Sequence, residues 1–418
     1  MELFNNTKIE EEIKELPSGI LTILFDAAIS VDINSIAIVG GLVRDLITKS
    51  IYKDYKINFN DLDIVIEGEV EDYIRELQKK LGSEIFKVVR NNKTYKTAEI
   101  TINGVKVDIA SAREETYPIP GENPIINSST INKDLIRRDF NVNAMAIELK
   151  GNRIIDLFYG LDAISNKKID FLHKSSVLED PTRIIRASRY SAKLDFNLSD
   201  KALNQIQNTI NAWPWDWHIG DKSDLAPSAL SVRLKMELEL LFKSKDWKIA
   251  IKTLQVWGAL EIIDSKLQNN KHLINRISVA KKSDIQPLTA FVYEAENPIY
   301  LSERLQLAQQ QKEIIEGAFK LKKYLENIIS NQEYKDWSPS KWTNVFEEIN
   351  ANESSFILEI CKENTLSKYL SSWLHNWKKI ESPIKGNDLI AQGWESGPQL
   401  GLEIKRQRMK SIDEENIS

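Results

Sequence analysis

A chain of 418 residues is long for a single compact core and points to two or more. Hydrophobic residues make up 42% and charged residues 28%, ordinary for a soluble globular protein, and the single cysteine, Cys361, excludes an internal disulfide and a thiolate zinc site. A net charge of −5 leaves nucleic-acid binding to local basic strips rather than to overall charge.

Such strips exist at Arg137 with Arg138, at Lys167 with Lys168, and along Arg183, Arg186, Arg189 and Lys193. One cysteine suits a reducing cytosol, so a cytoplasmic location is expected. No apolar run reaches the roughly eighteen residues of a membrane helix, so no membrane partner is expected. The first residues, MELFNNTKIEEEIKEL, are acidic and polar, unlike a signal peptide.

In chain order, IAIVG (36–40) reads as a buried strand, a continuous apolar run ending in glycine. Gly40 and Gly41 then lead through GGLVRD into a helix. DLDIVIEG (61–68) is a second strand, with Asp61 and Asp63 on one face and Ile64 and Ile66 on the other. Helical spacing follows over Val70–Leu81, then strands at EIFKVV (84–89), KTAEITI (96–102) and KVDIA (106–110). Residues 112–136 are rich in turn formers and read as a loop. Past about residue 150 strand signals fade, and 181–194, 228–242 and 304–329 carry apolar residues at helical spacing. Turn-rich punctuation falls at 213–228, 281–287 and 381–388. The expected class is α+β: a mixed-sheet head followed by an all-helical remainder.

Carboxylates two residues apart on a strand project from the same face and suit Mg²⁺, a hard ion that prefers oxygen ligands. Asp108, on a later strand, is a third acid, and three on neighbouring strands can hold two metals for an in-line phosphoryl displacement. Taken alone, D-x-D is also a common surface pattern. A Gly-Gly turn into a helix lets backbone N–H groups approach an anion, with Arg44 placed to reach a triphosphate; it is equally a plain strand-to-helix turn. The order of strand, Gly-Gly turn, helix and D-x-D strand is more specific than any of its parts.

These residues resemble the class II tRNA nucleotidyltransferase and bacterial poly(A) polymerase family, within the DNA polymerase β-like superfamily. GGLVRD (40–45) with DLD (61–63) is similar to its first motif, and Arg137–Ala146 to its RRDFTxNAxA motif, with Asn141 in the usual threonine place. DLFYGLDAI (156–164) resembles the third motif and EDPTRIIRASRY (179–190) the fourth. Arg233 with Glu237 and Glu239 resembles the fifth, and 384–401 a C-terminal stretch of bacterial members. The resemblance implies a nucleotidyltransferase head (1–150), a helical neck (151–225), a body (226–320) and an RNA-binding tail (321–418). It implies Mg²⁺ carried by Asp61, Asp63 and Asp108. It further implies nucleotide binding by Gly40, Gly41, Arg44, Arg137, Arg138, Asp139, Asn143, Asp180, Arg183, Arg186 and Arg189. CTP and ATP would be the substrates and the tRNA 3′ end the acceptor, with no protein partner. The region 112–136 would contain the loop that helps switch from C to A addition.

Cytosine and adenine both present an amino donor beside a ring-nitrogen acceptor, whereas uracil and guanine present the reverse. An aspartate that only accepts, paired with an arginine that only donates, therefore suits C and A. The resemblance assigns these roles to Asp180 and Arg183. Asp180-Pro181 is equally a helix start, with the aspartate as cap. Asp139 is open to the alternative of a structural pair with an arginine. Arg233 and Glu237, four apart, suit an ion pair within one helix. Trp213, Trp215 and Trp217 suit pinning a loop more than stacking on bases. The four histidines lack metal-ligand spacing and no His-Asp dipeptide occurs, so no phosphohydrolase domain is expected. Lys405–Lys410 reads as a solubilising segment. The function expected is addition of CMP and/or AMP to the tRNA 3′ end. Partial-scope addition or poly(A) synthesis stands next, and a non-catalytic RNA-binding protein further off.

Overall fold

The computed structural model describes residues 18–415 except 34, 58–60, 283–284, 332 and 349–366; Cys361 lies outside the described residues. The chain forms two compact units, one of residues up to 218 with 227–237 and 243–259, the other of 219–226, 238–242 and 260 onward.

The first unit opens with α1 (Ser18–Ser30), β1 (Ile36–Val39), α2 (Gly41–Ile51), β2 (Leu62–Ile66) and α3 (Val70–Ile85). Strands β3 (Phe86–Asn92), β4 (Thr97–Ile102) and β5 (Val105–Ser111) follow. After them come β6 (Arg113–Thr116), β7 (Ile125–Ser128), α4 (Ile131–Ile136), β8 (Met145–Glu148) and β9 (Arg153–Asp156). Helices α5 (Gly160–Ser165), α6 (Ser176–Glu179), α7 (Thr182–Leu194), α8 (Asp200–Ala212) and α9 (Val232–Lys243) complete the elements used below. Seven strands form one mixed sheet in the order β3-β4-β5-β2-β1-β8-β9. Its β1, β2 and β8 strands are central and almost wholly apolar, and Ala37, Val39, Val65 and Ala146 pack against Ile131 and Leu135 of α4. That packing seats α4, and with it the arginines that follow, on the sheet face.

Strand β2 runs parallel to β5 with Asp63 opposite Asp108, and antiparallel to β1 with Ile64 opposite Ile38. The strand expected at 84–89 begins at Phe86, because Gly82 (φ 71°) lets α3 turn once more before the sheet resumes. The head sheet also takes in β8 and, beyond 150, β9, four residues each and too short to show alternation in sequence.

The segment expected as a loop, 112–136, is largely ordered into the β6–β7 hairpin and α4. REET and IINS carry no apolar alternation; charge pairs run along β6, Arg113 to Glu115, and tie it to α4, Glu114 to Lys133. The hairpin tip is anchored by Gly121, whose N–H donates to Glu179 O at 3.0 Å and whose carbonyl accepts from Ala229 N at 2.8 Å. Gly121 has φ 84°, and a Cβ there would meet Trp215 at 3.1 Å, so a side chain is excluded twice over. Trp215 and Trp217 are buried, and the Trp215 indole donates to Leu178 O, so these tryptophans pin a loop.

In the second unit every described element is helical. Its C-terminal part is built on stacked rings: Trp342 lies 4.7 Å from Tyr369 and 5.4 Å from Phe346. Lys405–Lys410 lies on the helix Pro398–Glu414, where Arg408 donates to Glu347 and Arg406 to Glu403. Among the described residues no helix is long and apolar enough to cross a membrane.

Candidate nucleotidyl-transfer site

The register of β2 on β5 brings three acids to one place. One carboxylate oxygen from each of Asp61, Asp63 and Asp108 lies within 4.8 Å of the others. Burial, reinforced by Asp61 and Asp108, pushes the Asp63 carboxyl up to about 6, against the pull of Arg138 and Lys106. Burial raises Asp108 as well, although Lys106 is only 3.5 Å away. Three mutually repelling carboxylates with no nitrogen or sulfur donor fit a hard divalent cation.

Gly40 ends β1 with φ 75°, and a Cβ there would sit 3.1 Å from Asp63 Oδ2. Its glycine identity therefore follows both from the backbone and from the approach of the acid. Beside it opens a cleft lobe of about 320 Å³ that includes Gly41, Arg137, Arg138, Asp180, Arg183 and Tyr190 in its wall.

The arginines of this lobe are held from behind. Asp134, on the inner face of α4, accepts from Arg137 Nε at 2.9 Å through one oxygen and from Arg138 Nη2 at 3.0 Å through the other. Burial alone would raise its carboxyl, but Arg138 and Arg137 together hold it below the ordinary range. Arg137 also donates to Glu115 of the hairpin at 3.1 Å. Sequence reading missed Asp134 and Glu115. A signal for Asp134 was present, since an acid three and four residues before two arginines on a helix faces both.

Asp139 is buried and takes Arg186 bidentately on Oδ2, at 2.6 and 2.8 Å, while Oδ1 accepts from Asn143 at 3.3 Å. The structural alternative for Asp139 is thus realised, although its carboxylate still belongs to the lobe wall. Arg44, expected to reach a triphosphate, is buried and does not line the lobe. Its guanidinium donates to Asp45 at 2.8 Å and to the Asn143 carbonyl oxygen at 2.7 Å, which fixes the Asn143 amide with its nitrogen toward Asp139. Arg189 likewise does not line the lobe; it donates to Glu237 at 3.0 Å and lies against the Tyr190 ring. Desolvating either arginine without an acid partner would be costly, which is why each sits against one.

Asp180 and Arg183 both face the lobe. Asp180 Oδ1 accepts from the Thr182 N–H and hydroxyl, the capping role, while Oδ2 faces Arg233 at 3.2 Å. Arg183 donates to the Ser176 hydroxyl at 2.6 Å and to Arg137 O at 3.2 Å, so its direction is fixed. Arg233 and Glu237 of α9 do not pair within their helix as expected. Arg233 reaches back to Asp180 and to the carbonyls of Gly121 and Glu122, and Glu237 receives Arg186 and Arg189. Each thereby meets partners on other elements rather than its neighbour one helical turn away.

A triad of acids beside a glycine turn and an arginine-walled lobe is an arrangement for binding a metal-bound triphosphate, and the sequence agrees: residues 36–170 match the Poly A polymerase head domain. This stretch is thus a head of the Poly A polymerase kind. Among relatives, the A-adding tRNA nucleotidyltransferase of Aquifex aeolicus is 31% identical over 249 residues, 59% of this chain and 27% of that protein. The chain thus spans about a quarter of that relative's length. The A-adding tRNA nucleotidyltransferase of Halalkalibacterium halodurans is 26% identical over 372 residues, 86% of this chain and 81% of that one. A solved CCA-adding enzyme in complex with CTP shares the fold, with a TM-score of 0.69 at 22% identity over 99% of this chain and 96% of its own. The D-x-D strand, the RRDF segment and the EDPTR segment lie around one cleft.

Proposed function

We propose that this chain transfers CMP and/or AMP from CTP or ATP to the 3′ end of tRNA. The observation that carries the reading is the convergence of Asp61, Asp63 and Asp108 on a lobe walled by Arg137, Arg138 and the Asp180/Arg183 pair. In this reading the backbone at Gly40–Gly41 and the guanidiniums of Arg137 and Arg138 receive the triphosphate, while Asp139 and Asn143 hold the ribose. Asp180 accepts from the base amino group and Arg183 donates to the ring nitrogen, so U and G each leave a donor against a donor or an acceptor against an acceptor.

A divalent ion held by the three acids, Mg²⁺ by its preference for oxygen donors, would neutralise charge on the α-phosphate and the leaving pyrophosphate. The RNA 3′ oxygen forms the new bond to the α-phosphorus as the bond to the bridging oxygen breaks, and pyrophosphate leaves. The hydroxyl proton is released to water, and Asp108 completes the acid set that would hold the ion. Residues 151–225 act as neck, 226–320 as body and 321–418 as the tail that contacts RNA.

Both relatives named above are A-adding, which favours the narrower scope of AMP addition to tRNA already ending in CC. Transcripts of one tRNA ending before C74, after C74, after C75 and after A76, each incubated with CTP alone or ATP alone, separate the scopes. Incorporation of AMP only after C75 identifies an A-adding enzyme, and CMP at the two earlier stages together with AMP after C75 a full CCA-adding one. CMP alone identifies a CC-adding enzyme, and AMP after A76 a poly(A) polymerase. No incorporation at any stage would overturn the reading.

A further inference from the structure

The cleft has a second lobe, larger than the first, to which the nucleotide assigns no role. Its volume is about 520 Å³, and it shares Asp63, Arg137 and Arg138 with the nucleotide lobe. From there it extends over β5 and β4 to the edge strand, where Arg90, Asn92 and Tyr95 form its outer wall. The two lobes therefore meet at the acids.

In-line displacement places the attacking and leaving oxygens on opposite sides of phosphorus. With the triphosphate in the glycine and arginine lobe, the attacking hydroxyl approaches from the second lobe. The chemistry of the outer wall says what carries that hydroxyl. Tyr95 is 48% exposed at the β3–β4 turn although it lines the lobe, so its ring offers an open face. Around this turn Lys93 pairs with Glu71, Lys96 with Glu69 and Arg113 with Glu115. Among the described residues Arg90 makes no ion pair, and it too is exposed. Glu99 stands opposite Arg90 on β4 but is paired with Lys106 instead. An exposed ring and an exposed guanidinium free of any ion pair thus lie a few residues apart, the device that proteins use for unpaired nucleic acid.

We propose that this lobe receives the last nucleotides of a single-stranded RNA 3′ end, with the terminal base stacked on Tyr95 and a backbone phosphate on Arg90. The proposal rests on the transferase reading and adds to it the acceptor side. Stacking tolerates any base, so the platform serves an end that changes with each addition.

The test uses the full chain and a tRNA transcript with 2-aminopurine as its 3′-terminal base, a fluorophore quenched by stacking. Three variants, Tyr95→Ala, Tyr95→Phe and Arg90→Ala, are compared with wild type. Wild type should quench the probe; Tyr95→Ala should abolish that quenching and Tyr95→Phe restore it. In turnover, Tyr95→Ala and Arg90→Ala should each raise KM for the RNA about tenfold while leaving KM for the nucleotide within about twofold. Wild-type transfer with quenching and RNA KM unchanged in Tyr95→Ala would overturn this inference alone. Quenching that depends on Tyr95 in a chain without transfer activity would instead sink the transferase reading and leave the RNA platform standing. A rise in nucleotide KM with RNA KM unchanged would move both residues to the other lobe and overturn the inference.

Discussion

Asp134 has no solvent exposure and still carries a charge, because two guanidiniums divide its oxygens between them. Asp134→Asn removes that charge while keeping the shape, and leaves Arg137 and Arg138 without their partner. The expected loss in stability is about 3 kcal/mol, the low end for a broken buried pair because both arginines keep some contact with water. Chemical denaturation measures it; a midpoint unchanged from wild type would contradict the arrangement.

The sign of the pH effect follows from the lowered carboxyl. Its folded value lies below the ordinary 3.8, so the stabilisation is complete above 3.8 and is lost as pH falls through the folded value. Wild type should therefore lose more stability than Asp134→Asn between pH 4 and the acid transition, and the two curves should converge there. Parallel curves would show that Asp134 is not the group responsible.

Gly40 belongs to this scale too. Gly40→Ala puts a Cβ at 3.1 Å from an acid oxygen and forces a left-handed backbone that costs about 1–2 kcal/mol. Transfer should fall at least tenfold with the fold intact by circular dichroism. Wild-type turnover would show that the turn has no such tight approach.

At the scale of elements, strands β1 and β2 were legible because burial on both faces leaves continuous apolar runs in which the acids stand out, and β4 and β5 because buried residues alternate along them. The RRDF and EDPTR segments were legible as motifs, but their partners were not. Asp134, Glu115 and Arg233 act through contacts between elements that sequence spacing does not encode. Arg233 shows the point: four residues before Glu237 it suits an intrahelical pair, yet it reaches Asp180 while Glu237 is taken by Arg186 and Arg189 from another helix.

The β6–β7 hairpin was illegible for a different reason, since a short backbone ladder whose acids tie it to α4 and Arg137 has no hydrophobic period. Glu115 links that hairpin to Arg137. Glu115→Gln should weaken the link without emptying the lobe, raising KM for the nucleotide a few-fold with kcat little changed. A fall in kcat with KM unchanged would argue that Glu115 acts on the chemistry.

At the scale of the molecule, a chain with net charge −5 has to bind a polyanion through local cationic surface. The KM for tRNA should rise steeply with salt, and the slope of log KM against log salt counts the phosphates engaged. A KM flat between 50 and 200 mM salt, on the order of the range where such contacts weaken, would contradict phosphate-based docking.

The fold class was legible because the period of the apolar pattern changes from strand-like to helical along the chain. The division into two compact units was not, since helices on either side of the boundary have the same amphipathic character.

The most direct measurement is single-turnover incorporation of labelled AMP or CMP into the tRNA stage that wild type extends, with Mg²⁺, for wild type and for Asp63→Ala. Replacing an acid at the meeting point of the cleft should slow transfer by about a thousandfold or more while tRNA binding stays within twofold. Incorporation by Asp63→Ala at the wild-type rate would contradict the site described here.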